Sequence, residues 1–260
     1  MNSSWQFYSE PPPFWEKLCQ QANSTFHSQA WQQMLRYAFP AQPLYLYHPE
    51  TESACALTVF KAGPFRVGYI GFPAGQMLSG VLTNQVAQSL RAINWPYRID
   101  LLRLQISHLF SEELLPTEYN STLETIVPLK NWSKRKLSST IWRNVQKSIK
   151  NEVTIAHAHP DMAQVIYNMY QKTINRHNGS IRYNLKYFEN LTRLANKTPQ
   201  LQCLVATRHK IIIAFLITCH ENSTVYYLHG GLDFQKQQYR PSDLLFFSAI
   251  SRAQEQDAAH

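Results

Sequence analysis

The amino-acid sequence predicts a mixed α/β protein made of two halves with similar element order. Three observations predict it. Two β-branched and aromatic runs, Ile211-Ile212-Ile213-Ala214-Phe215-Leu216-Ile217-Thr218-Cys219-His220 and Thr224-Val225-Tyr226-Tyr227-Leu228-His229-Gly230, are split by the polar triplet Glu221-Asn222-Ser223. That is a hairpin signal. Stretches with apolar residues three and four apart alternate with such runs, as amphipathic helices between strands would. The order also recurs: helix, three strands, helix and strand in the first half, then strand, two helices, three strands and helix in the second. No repeated motif accompanies this order.

Taken along the chain, residues 1–25 read as a lead-in, with a short helix after Pro11-Pro12-Pro13 carrying Phe14, Trp15 and Leu18. The first half, residues 26–129, opens with a helix capped by Ser28, presenting Trp31, Met34, Leu35 and Ala38, and stopped by Phe39-Pro40. Strands are expected at residues 44–47, 54–61 and 65–70, a helix at 82–93 and a strand at 97–104. Residues 130–150 read as a connecting helix capped by Ser133, with Leu137, Ile141, Val145 and Ile149 as its apolar stripe. Its other surface carries Lys134, Arg135, Lys136, Arg143, Lys147 and Lys150 and no acid, which makes it a basic amphipathic helix.

The second half, residues 151–260, begins with a strand at 152–157. Asp161 and Gln164 then sit as a capping box before a helix bearing Val165, Ile166, Met169, Tyr170 and Thr173, which ends at Asn178-Gly179. A helix at 185–195 and strands at 201–207, 211–220 and 224–230 follow. A polar loop leads to Pro241, whose missing N–H suits the first position of a helix carrying Leu244, Leu245, Phe247 and Ala249. A strand running through a short loop into a helix aims several free amides at one point, which suits a phosphate or another anion.

The chain has 260 residues and 44% hydrophobic residues, enough for a buried core. A formal charge of +8 favours anionic partners without choosing among nucleotide cofactors, RNA and acidic membrane surfaces. Cys19, Cys55, Cys203 and Cys219 form no C-x-x-C pair, so zinc-ribbon and thioredoxin-like motifs are absent. His157 and His159 form a His-x-His pair with no cysteine or carboxylate cluster beside it, so no metal site is expected. The N-terminus has no basic stretch followed by an apolar run, and a cytoplasmic setting is expected. Glycine fingerprints of dinucleotide and P-loop sites and the Gly-x-Ser-x-Gly elbow are absent, which sets aside dehydrogenases, kinases and serine hydrolases.

The residues Phe26-His27-Ser28-x-x-Trp31, the basic segment 135–149, Tyr167-x-x-Tyr170-x-x-Thr173-x-x-Arg176, Leu204-Val205-Ala206, Tyr226-Tyr227-Leu228-x-Gly230-Gly231 and Pro241-Ser242-x-Leu244-Leu245 occur in an order that resembles the GNAT acyltransferase superfamily, in its FemAB-like branch of paired units. The resemblance covers most of the chain from Phe26 onward. It implies two tandem GNAT-like subdomains, the second lacking its final strand. It further implies N-acyl transfer from acyl-CoA, acetyl-CoA included, to an amine on a polysaccharide, peptide or cell-envelope precursor. Aminoacyl transfer from tRNA in building a peptidoglycan bridge is one alternative, and an inactive FemAB-like binding protein is another. The usual GNAT donor loop with its glycines is replaced by Gln238-Tyr239-Arg240-Pro241-Ser242-Asp243.

In that picture the donor phosphate lies at Ser242, Asp243 and Leu244, assisted by Arg240 and Lys236. Strict alternation would put Tyr227 and His229 on one face of their strand. His229 then serves as general base and Tyr227 or Tyr239 as general acid. The bland readings are an ordinary capped helix at Pro241, a core His229 among packed aromatics, and a solvated face on the basic helix. Contact with tRNA or with an anionic membrane remains open for that helix, and no DNA partner is expected.

Overall fold

A computed structural model describes residues 5–74, 77–80, 89–90, 93, 95–96, 98–104, 125–256 and 258–259. The chain divides into two units, residues 1–125 and 126–260.

The first unit contains β1 (Gln6–Tyr8), α1 (Trp15–Gln21), α2 (Gln29–Ala38), β2 (Ala41–His48), β3 (Ser53–Ala62), β4 (Phe65–Ile70) and β5 (Leu101–Arg103). They form a sheet in the order β1-β2-β3-β4-β5, antiparallel except for the β4–β5 pair. The expected lead-in belongs to this unit: β1 adds to the sheet edge, and Trp15 is fully buried, donating Nε1–H to the His27 carbonyl at 2.9 Å. Ser28 caps α2 as the sequence indicates, accepting from the Trp31 amide. The helix expected at 82–93 falls, apart from Ser89, Leu90 and Ile93, outside the described residues. The strand expected at 97–104 is shorter, only β5.

The second unit contains α3 (Ser139–Lys150), β6 (Thr154–His157), α4 (Ala163–Arg176), α5 (Leu185–Ala195), β7 (Leu201–Arg208), β8 (Ile211–Glu221), β9 (Thr224–Leu232) and α6 (Pro241–Glu255). Its four strands form an antiparallel sheet, β6-β7-β8-β9, with no fifth strand after α6 among the described residues. The chain is therefore a mixed α/β protein of two sheets.

Helices cover both faces of this second sheet. Val145 of α3 and Leu244, Leu245 and Ala249 of α6 pack on Leu204, Ala206 and Leu216. On the opposite face, Phe188 of α5 meets Phe215 of β8, and Tyr170 of α4 meets His229 of β9. Burying both faces is what makes β7 and β8 nearly continuous apolar runs.

Three local expectations are corrected. Ser133 caps nothing: Lys134–Lys136 form a 3-10 turn, and α3 starts at Ser139 with Ser138 accepting from the Ile141 amide. Val145 and Ser148 are buried while Ile141 and Ile149 are exposed, because the inward face centres on Val145 and runs through Trp142 and Ser148. The capping box at Asp161 does not form, since that carboxylate is taken by His159 at 2.9 Å and Gln164 bonds Asn168 instead.

Candidate functional site

The site is built around the edge of β9 and the start of α6. Along β9 the ladder pairs Thr218 with Tyr227 but Ile217 with His229, so Leu228 is an extra residue, a β-bulge. A bulge breaks strict alternation. Tyr227 consequently lies on the α6 face, its ring stacked on Phe246 at 5.6 Å. His229 lies on the other face, boxed in by Tyr170, Tyr183, Tyr187 and Phe188. The expectation that the two share a face is overturned by this one inserted residue.

The bulge also brings Tyr227 over Gly230. A β-carbon added at Gly230 would stand 2.8 Å from the Tyr227 hydroxyl, so the absent side chain makes room for it. Gly231 has a different reason to be glycine: a β-carbon there would run into the Phe215 ring and sit 3.2 Å from the Met169 backbone, where α4 passes close over the strand. Desolvation raises the pKa of the Tyr227 hydroxyl. A phenol held protonated suits proton donation.

Beside this edge opens a groove of about 160 Å³, whose lining includes Tyr227, Gly230, Gly231, Ser242, Phe246 and Thr173. It runs past the end of β9 from α6 to α4. The first turn of α6 faces it through Ser242. Arg240, in the left-handed conformation at φ 57°, is the N-cap residue and supplies no side-chain cap, and Pro241 holds the first helical position. The helix mouth therefore keeps its leading amides clear of a capping side chain. The Leu244 side chain is buried in the core. The Asp243 carboxylate, which would oppose an anion, accepts a hydrogen bond from Asn144 of α3 at 3.1 Å. Lys236 sits in the 3-10 turn Phe234–Tyr239 just before the helix.

Tyr239 is placed elsewhere. Its ring carries the Arg208 guanidinium at 4.3 Å and packs on the α3/α6 core cluster, and it does not line the groove. As a proton donor beside Tyr227 it is in the wrong place, because the turn from Phe234 rotates it toward the β7–β8 hairpin.

His229 is buried, and burial pushes its pKa down to about 4. Its Nε2 lies 3.0 Å from the Tyr187 hydroxyl, whose own pKa burial holds well above the ordinary tyrosine value. The pair is a neutral hydrogen bond inside an aromatic box. His157 and His159 are engaged by Arg252 and Asp161. Sequence reasoning missed one feature of the groove. The Thr173 Oγ1 is buried with no hydrogen-bond partner although Thr173 lines the opening. Its helical position facing the sheet was legible, but its lack of a partner was not.

Residues 135–260 match the family described as acetyltransferase (GNAT) domain. The chain as a whole is similar to the crystal structure of FemX, at TM-score 0.68 and 10% identity, over 98% of this chain and 87% of that one. It is also similar to a conserved protein of unknown function from Bacteroides thetaiotaomicron VPI-5482, at TM-score 0.62 and 12% identity, over 97% of this chain and 88% of that one. No curated protein matches at the level of sequence. The GNAT family match is thus confined to residues 135–260, and the chain as a whole shares the fold of FemX.

Proposed function

We propose that this protein is an N-acyltransferase that moves an acyl group from a CoA thioester to an amine on a polysaccharide, peptide or cell-envelope precursor. The observation that carries the reading is the groove between the bulged edge of β9 and the open amides of α6. A helix N-terminus offers an anion roughly 0.3–1 kcal/mol. The donor's phosphates therefore need Arg240 and Lys236 in addition to the amides of Ser242, Asp243 and Leu244.

In this scheme the thioester carbonyl lies against the free edge of β9, where a backbone N–H not used by β8 polarises it. The acceptor amine attacks the carbonyl carbon, and a tetrahedral intermediate forms. As the C–S bond breaks, Tyr227 gives its proton to the departing thiolate. The amine's surplus proton leaves to water at the open end of the groove, and water reprotonates Tyr227. His229, neutral and on the far face, holds Tyr187 and the aromatic box that supports β9.

A second reading, aminoacyl-tRNA as donor, draws on the exposed cations Lys134, Arg135, Lys136, Arg143, Lys147 and Lys150 around α3. The same cations would suit an anionic membrane surface. The deciding test is a thermal-shift series with CoA thioesters followed by thiol release with added amines. A ligand at a hundred times its dissociation constant adds about 2.7 kcal/mol to stability. A flat response to every thioester, with stabilisation by aminoacyl-tRNA, would replace the first reading by the second.

A further inference from the structure

The α4 end of the groove carries a second polar feature that acyl-donor binding leaves unused. Thr173 lines the opening, and its hydroxyl is buried without a partner. One turn further along the same helix face, the Arg176 guanidinium lies 3.7 Å from the centre of the Phe234 ring. Phe234 is two residues beyond Leu232, itself part of the groove wall. Thr173 and Arg176 therefore follow one another outward, from the groove to its mouth.

Stacking on the ring fixes the guanidinium plane and leaves its N–H edge for hydrogen bonding. Among the described residues no carboxylate lies within ion-pair distance of Arg176. Asp233, the neighbour of Phe234 in the chain, is committed to capping its own turn through the Gln235 amide. A planar cation held still and left without a counterion is suited to gripping a carboxylate or phosphate by two parallel bonds.

We propose that the acceptor carries an oxyanion close to its amine, gripped by Arg176, while the Thr173 hydroxyl bonds a polar atom between the two. This rests on the acyl-transfer reading and adds the acceptor's chemical class. The donor's phosphates belong to the α6 end, so the two ends of the groove divide the substrates.

The test compares acceptors that differ only in the anion: glucosamine 6-phosphate against glucosamine, and glycylglycine against glycylglycinamide, with thiol release from acetyl-CoA as readout. One charged member should exceed its neutral partner at least tenfold in kcat/KM, and the pair that shows it tells phosphate from carboxylate. Arg176→Gln should erase that preference and leave the neutral acceptor's rate unchanged. Thr173→Val, which keeps the shape, should raise the acceptor's KM several-fold without moving CoA affinity. Equal rates within both pairs, or a preference that survives Arg176→Gln, overturns the proposal. A loss of CoA affinity in Arg176→Gln with preference intact assigns the arginine to the donor and also overturns it. Where no acceptor reacts, so that the acyl-transfer reading fails, binding decides. Glucosamine 6-phosphate or glycylglycine should shift the Arg176 side-chain Nε–H resonance of the wild-type protein, and silence to both rejects the site.

Discussion

The buried His229 makes a pH dependence that can be worked through. Its imidazole falls from an ordinary value of 6.5 to about 4 because burial disfavours the charged form. In the unfolded chain it titrates near 6.5. A depressed folded pKa means that the unfolded state binds the proton more readily between these two values. The associated stability is thus fully present above pH 6.5 and lost as the pH falls through about 4. The difference corresponds to about 3 kcal/mol. Urea unfolding monitored from pH 7.5 to pH 4 should show a loss larger by about that amount in the wild type than in His229→Gln, which keeps a side-chain partner for Tyr187. Proton NMR offers a check independent of the variant's folding: the His229 ring signal should stay unshifted from pH 8 to about 5. An imidazole titrating near 6.5, or matching losses in both proteins, would refute the burial argument. It would also reopen the role of His229 as general base. As a buried, neutral imidazole it adds no limb to the pH–rate profile between pH 5 and 8.

Tyr227→Phe removes the proposed proton donor and should lower kcat by roughly a hundredfold or more, with CoA affinity intact by calorimetry. Gly230→Ala places a β-carbon 2.8 Å from the Tyr227 hydroxyl, the movable end of a side chain. It should cut the acylation rate while melting close to wild type. Gly231→Ala, which meets the Phe215 ring and the Met169 backbone, should instead cost about 1–3 kcal/mol in chemical denaturation. Asp243→Asn removes a negative charge from the first turn of α6 and should tighten CoA binding about two- to fivefold at low salt, read by titration calorimetry. Ser28→Ala deletes the cap of α2 and should cost the first unit about 1 kcal/mol.

Most of the architecture was legible because the second unit obeys simple rules. The helix bounds at Leu185–Ala195 and the start at Pro241 follow from spacing and from proline chemistry. The strands from β7 to β9 follow from runs that must be buried on both faces. What misled were positions where a side chain had two suitors. Asp161 is an acceptable cap, yet His159 is closer at hand. Ser133 precedes helical spacing, yet the helix starts five residues later, where Ser138 accepts from the Ile141 amide. Asn23, Asn178 and Asn222, each the first residue of an Asn-x-Ser/Thr triplet, all have positive φ, a conformation asparagine tolerates better than most residues.

The bulge at Leu228 decides the site, and no single sequence could announce it. With strict alternation, Tyr227 and His229 would share a face and form an acid–base pair of familiar type. Insertion of one residue separates them, sending the imidazole into an aromatic box and the phenol over Gly230 into the groove. The chemistry proposed here is then asymmetric: Tyr227 as proton donor at the leaving group, with no side-chain base opposite it among the described residues. An amine acceptor must then arrive unprotonated or shed its proton to water. The rate should accordingly rise with pH along the acceptor's own ammonium titration. Moving from an acceptor of high pKa to one of low pKa should shift that limb by the same interval, measured as kcat/KM against pH. A limb that stays fixed while the acceptor changes would demonstrate a protein base and break the argument.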